Sequence, residues 1–177
     1  MLGAGLACAG PRVRVDPAEL QAQADAILVK QVRLQEVQLR LPFRSDAAAA
    51  EEDAGESRVR AWLEGGQPVH VEEAIHLGDH GGSTRDYYFR AGELFLYEAQ
   101  DRRALRRAYR RQVEEVWVRL LLAPGGRPLE RSQLVDGHPA VLGDPEVEAI
   151  RAHAARLLRA LQAKVAPPPS SEAPGRP

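Results

Sequence analysis

The chain has 177 residues, 44% of them hydrophobic and 28% charged, with a formal net charge of -1 and a single cysteine, Cys8. That length and apolar fraction suit one globular core. The near-neutral balance excludes general attraction to nucleic acid or anionic membrane, which needs a large positive surplus, and one cysteine excludes an intrachain disulfide or a multi-cysteine zinc site.

The opening Met1-Leu2-Gly3-Ala4-Gly5-Leu6-Ala7-Cys8 is small and apolar throughout, like the end of a signal peptide's apolar region and its cleavage site. It lacks a basic start and is shorter than the roughly 7–15 apolar residues of a complete signal, as a start codon assigned too late would leave it. Leu6-Ala7-Cys8 also resembles the tail of a bacterial lipobox, in which the cysteine thiol is acylated, although Gly5 stands where that pattern prefers a larger aliphatic residue. The expectation is a periplasmic, outer-membrane-attached or secreted protein with Cys8 as lipidation site; a cytoplasmic protein is the alternative. No stretch approaches the roughly 18 consecutive apolar residues of a spanning helix, so a lipid would be the only membrane contact.

Asp16-Pro17-Ala18-Glu19 places a capping acid, a proline at the first helical position and a glutamate three residues after the cap, which starts a helix near Pro17. Leu20, Ala24, Ile27 and Leu28 give it one apolar face. From Val32 the period changes: Val32 and Leu34, then Val37, Leu39 and Leu41, alternate with polar residues as in a half-buried strand with one bulge, with continued helix as the competing reading. Ser45 to Ser57 reads as an exposed loop.

Three hairpins follow. Arg58 to Leu63 and Pro68 to Leu77 flank Glu64-Gly65-Gly66-Gln67, with Val59, Ala61 and Leu63 sharing one face and Val69, Val71, Ile75 and Leu77 another. Asp86 to Arg90 and Glu93 to Glu98 flank Ala91-Gly92, and Tyr87, Tyr88, Phe89, Phe95 and Tyr97 suit cross-strand pairing. Glu115 to Leu122 and Arg127 to Val135 flank Ala123-Pro124-Gly125-Gly126, with Val116, Val118, Leu120 and Leu122 on one face. Asp144-Pro145 then opens a second amphipathic helix, running to about Lys164. The expected organisation is an N-terminal segment 1–15, one α+β domain over 16–165 and a Pro-rich tail 166–177 too polar to order. The domain is expected to be an antiparallel meander of about six strands from three hairpins, flanked by the two helices.

The order of these pieces, with the loop Gly78-Asp79-His80-Gly81-Gly82-Ser83 and the run Asp86-Tyr87-Tyr88-Phe89-Arg90-Ala91-Gly92-Glu93-Leu94-Phe95, resembles a family of uncharacterised bacterial exported proteins and lipoproteins. The resemblance spans most of Arg58 to Leu161 and departs at Leu121, Leu122 and Ala123, where the family usually has an aromatic before the turn. It implies the fold and export, and carries no activity.

Candidate chemistry is sparse. His70, Glu72 and His76 share one face by period-two counting and Asp79 and His80 follow, so a metal site is conceivable. Strand neighbours two apart are roughly 6.6 Å apart and splay, however, which favours a solvated face. Arg102, Arg103, Arg106, Arg107, Arg110 and Arg111 would form two adjacent basic rows on a helix, able to hold an anionic envelope component or an acidic partner; a solvated connector is the plainer reading. Ser83 and Ser132 lack a nucleophile elbow, Gly78, Gly81 and Gly82 precede a strand rather than a helix, and Glu72-Glu73 and Glu114-Glu115 point to opposite faces. The sequence thus points to a non-enzymatic binding or structural module of the envelope, either binding a partner or serving as a subunit of a larger assembly, with no cofactor. A metal-binding protein or metal-dependent hydrolase using His70, His76 and His80 is the alternative.

Overall fold

The computed structural model describes residues 15–44, 54–77, 81–107 and 110–165. Helix α1 (Pro17–Lys30) starts where the Asp16 carboxylate accepts a hydrogen bond from the Ala18 amide at 2.9 Å, and a 3-10 turn over Gln31–Arg33 leads out of it. Eight strands follow: β1 (Gln35–Arg44), β2 (Ala54–Glu64), β3 (Gln67–His76), β4 (Gly81–Arg90), β5 (Glu93–Arg107), β6 (Arg110–Leu122), β7 (Pro128–Val135) and β8 (His138–Ala140). They pair antiparallel in sequence order as one open sheet, and helix α2 (Asp144–Val165) closes the chain. The α+β class, the meander and the flanking helices are as expected, but the sheet has eight strands and not six.

The two extra strands lie at the sheet's edges. Strand β1 pairs with β2 over ten residues without a bulge, and Val32, read above as part of a strand, belongs to the 3-10 turn and is exposed. Strand β8 returns from Asp136-Gly137, where both residues have positive φ. Asp-Gly is the turn pair whose backbone twist matches flanking antiparallel strands. The tail beyond 165 and the segment before 15, Cys8 included, lie outside the described residues.

Each of the three expected hairpins carries a register shift just after its turn. Trp62 pairs with His70 but Leu63 with Pro68; Tyr88 with Leu96 but Phe89 with Leu94; Leu121 with Glu130 but Leu122 with Pro128. The extra residues are Val69, Phe95 and Leu129, all on return strands at the same end of the sheet. A bulge places two neighbouring residues against one partner and so changes which face each addresses. Phe95 and Leu129 consequently join Tyr88, Leu96 and Leu121 beneath Leu20 and Ala24 of α1.

The other face carries a separate core. Val59, Ala61, Val71, Tyr87, Phe89, Tyr97, Leu120 and Leu122 pack there against Val147, Ala154, Leu157 and Leu161 of α2. The molecule is therefore three layers, α1 on the sheet on α2, and α1 is further tied down by Arg90 and Arg119, which donate to Gln23 and Gln21. Gly81, at φ +119°, opens β4 hard against β5: a Cβ there would stand 1.9 Å from the Arg102 carbonyl oxygen. In the second hairpin Ala91 has φ +50°, beside Gly92 at +78°. An L-residue with a Cβ is disfavoured in that region, whereas asparagine tolerates it. Ala91→Asn, giving Asn-Gly, is expected to raise stability by about 0.5–1 kcal/mol; urea melts read the change, and a loss would contradict the turn geometry.

Candidate functional site

The α2 face of the sheet changes character along its strands. Next to the hairpin turns its cross-strand rows are apolar, Ala61-Val71-Tyr87-Tyr97-Leu120 being one. The next row brings Glu73 beside Arg85, and the following one Ser57, Ile75, Ser83, Asp101 and Val116. Charged groups thus occupy inward positions of β3, β4 and β5, and Ser57, Glu73 and Asp101 are buried.

Glu73, 1% exposed, is the hub. One carboxylate oxygen accepts from the Ser57 hydroxyl at 2.6 Å, and the other from the Tyr87 hydroxyl at 3.1 Å and from His153 Nε2 at 2.8 Å. His153 reaches it from α2, so this bond joins helix to sheet. Arg156 stands 3.2 Å from His153 Nδ1 on the far side of the ring. Burial pushes the Glu73 carboxyl up, but the His153 hydrogen bond and charge, the Ser57 hydrogen bond and the Arg85 cation outweigh it and hold the group below its ordinary value. Burial, with Tyr97 and Glu73 nearby, pushes the Tyr87 phenol well up, which keeps it a donor.

A second cluster adjoins the first. Arg85 donates to the Ser83 hydroxyl at 2.9 Å, Ser83 donates to Asp101, and Arg103 donates to the other Asp101 oxygen at 2.9 Å. Burial works against the Arg85 cation, yet Tyr97, Tyr87, Asp101 and Glu73 more than compensate, so its pKa is raised. Between these groups and α2 lies a cleft of about 660 Å³, with Val116, Val118 and Ile150 among its walls and Glu73, Arg85 and Asp101 in its floor. The hydroxyls, carboxylates and cations in that floor hold one another. Among the described residues no histidine of this cleft lies between a serine and a carboxylate: Glu73 occupies the middle of the Ser57-Glu73-His153 set, where nucleophilic catalysis needs the base.

No family model, curated protein or solved structure matches this chain.

The residues singled out in the sequence are placed elsewhere. His70, Glu72 and His76 do share a face of β3, the one toward α1, but they do not converge. His70 is stacked between Trp62 and Tyr88, with ring centroids 4.8 and 4.5 Å away, and its Nε2 lies 2.9 Å from Asp86. Glu72 uses both oxygens on Arg60, at 2.7 and 2.9 Å, while His76 is exposed and His80 lies outside the described residues. Among the described residues no three His, Cys, Asp or Glu side chains could hold a metal ion.

The described parts of the arginine segment are strand, not helix. Arg102, Arg103, Arg106 and Arg107 are in β5 and Arg110 and Arg111 in β6, with Arg106 opposite Arg111 and Arg107 opposite Arg110, so the two basic rows do not form. The backbone ladder with β6, which carries Val113, Val116 and Val118, prevails over the helix preference of Arg, Ala and Leu. Arg102 pairs with Glu115 at 3.2 Å and Arg103 with Asp101; the other four side chains lie outside the described residues. No helix among the described residues is long and apolar enough to cross a membrane.

Glu73, Arg85, Asp101 and His153 were missed. The legible signal was parity: Glu73 stands between Val71 and Ile75, and Arg85 two before Tyr87, at positions where period two demands an apolar residue. Nothing in the sequence pairs Glu73 with a histidine 80 residues away.

Proposed function

We propose that the protein is a non-enzymatic binding module of the bacterial envelope that takes one small amphipathic molecule into the cleft beneath α2. The cleft itself carries this reading. Its walls would bury a hydrocarbon portion, and its floor of mutually held charges would orient a polar head without rearrangement, the combination that marks ligand sites in general. The probe is 8-anilino-1-naphthalenesulfonate, an apolar ring system with one anionic head. Its fluorescence is expected to rise saturably with one site per chain. Ala149, exposed on α2 and lining the cleft, is expected to abolish that rise as Ala149→Trp, with the melting temperature unchanged. Saturable binding that survives Ala149→Trp, or no binding by the native protein, would sink the proposal.

An envelope location belongs to the same proposal and rests on the Leu6-Ala7-Cys8 pattern. Detergent-phase partitioning of expressing cells is expected to extract the native chain and to leave Cys8→Ala in the aqueous phase. Recovery of both from the aqueous phase would exclude the lipid anchor.

A further inference from the structure

The two edges of the sheet are unlike. Strand β8 is a three-residue edge of His138, Pro139 and Ala140; such a short strand, lacking one donor, offers little to pair with. Strand β1 is ten residues long and, among the described residues, pairs with β2 alone. Its other side presents a row of backbone donors and acceptors, the usual template for adding a strand.

The side chains of β1 alternate. Val37, Leu39 and Leu41 pack partly against the α2-side core, while Glu36, Gln38 and Arg40 are exposed. Val29 and Val32, 80% and 90% exposed, stand in the helix and turn that lead straight into this edge. We propose that β1 joins β1 of a second copy of this chain, antiparallel and about a two-fold axis centred on Gln38.

The register follows from charge and parity. Opposed residues in a continuous antiparallel sheet share a face, so odd positions of one copy meet odd positions of the other. Centred on Gln38, Glu36 meets the partner's Arg40 and Arg40 the partner's Glu36, giving two ion pairs on one face. Val37 and Leu39 meet the partner's Leu39 and Val37 on the other. Centred on Glu36 or on Arg40, the pairing would set like charges directly opposite; centred on Leu39, it would leave Glu36 opposite a proline. Pro42, which has no amide hydrogen to donate, falls at the end of the ladder, opposite the partner's Leu34. The present partners of these charges are exposed: Arg40 is 3.4 Å from Glu56 with side chains 72% and 48% exposed, and, among the described residues, Glu36 accepts from Gln38 and sits in the field of the Arg60 cation, which is itself held by Glu72.

Sedimentation of the full chain with Cys8→Ser, across a hundredfold range of concentration, is the test. The expected result is a reversible shift toward twice the 19.4 kDa of one chain. Glu36→Arg alone and Arg40→Glu alone are each expected to weaken dimerisation at least tenfold, and the double exchange to restore it. Gln38→Cys is expected to be captured as a dimer by a short thiol cross-linker. Far-ultraviolet circular dichroism checks that each variant folds, and the restoring double exchange separates lost pairing from lost folding. A chain that stays monomeric throughout, a dimer indifferent to the single exchanges, or a double exchange that fails to restore it, would each overturn the proposal.

Discussion

Glu73→Ala is expected to destabilise the protein by about 3–5 kcal/mol, the range found when one member of a buried, hydrogen-bonded charged set is removed. The loss has three parts. Ser57 and Tyr87 keep donors that no longer have an acceptor, α2 loses its bond to the sheet through His153, and Arg85 loses a nearby anion. A domain of this size loses about 2–4 °C of melting temperature per kcal/mol, so the shift is readily measured by calorimetry. A change under about 1 kcal/mol would mean that the cluster contributes charge to the cleft and little to the fold. The pH dependence follows from the lowered Glu73 value. Its stabilisation is complete above the pKa of an unfolded glutamate and is lost as pH falls through the lower folded value. Native protein and Glu73→Gln are therefore expected to differ most near neutrality and to converge in acid, as urea melts at several pH values would record.

The second large effect concerns the two cores. Leu157 and Leu20 are 1% and 0% exposed, each at the centre of one helix's contact with the sheet. Either leucine replaced by alanine is expected to cost about 2–5 kcal/mol, the spread depending on how far the site collapses. The two clusters share no residue and lie on opposite faces. The double variant should therefore equal the sum of the singles to within about 0.5 kcal/mol. Strong non-additivity would show that the layers communicate through the sheet. Only Leu157→Ala is expected to change occupancy of the cleft by a fluorescent probe, since Leu157 lines it.

What was legible in the sequence was local. Turn glycines, alternation and capping residues are signals carried within a few positions, and they located both helices and the three hairpins. The bulges at Val69, Phe95 and Leu129 escaped because nothing in the alternation along one strand marks the extra residue, which shows only as a shift of register against the partner strand. Strand β8 was missed although Asp136-Gly137 announces its turn, because three residues leave no periodicity to detect. The arginine segment was misread since its spacing fits a helix as well as a strand, and only the β6 ladder decides. The cleft escaped for a different reason: its charges are assembled by register across four strands and a helix, and no spacing along the chain encodes register between distant elements.

The meander also has an order in time. Each strand can join its predecessor as soon as its hairpin closes, so the sheet needs few distant contacts to grow. Helix α1 is made first, yet its seat is built from Tyr88, Phe95, Leu96 and Leu121. Until β6 has been synthesised, Leu20 and Ala24 have nothing to cover them, and the nascent chain carries an amphipathic helix open to chaperones or to any apolar surface.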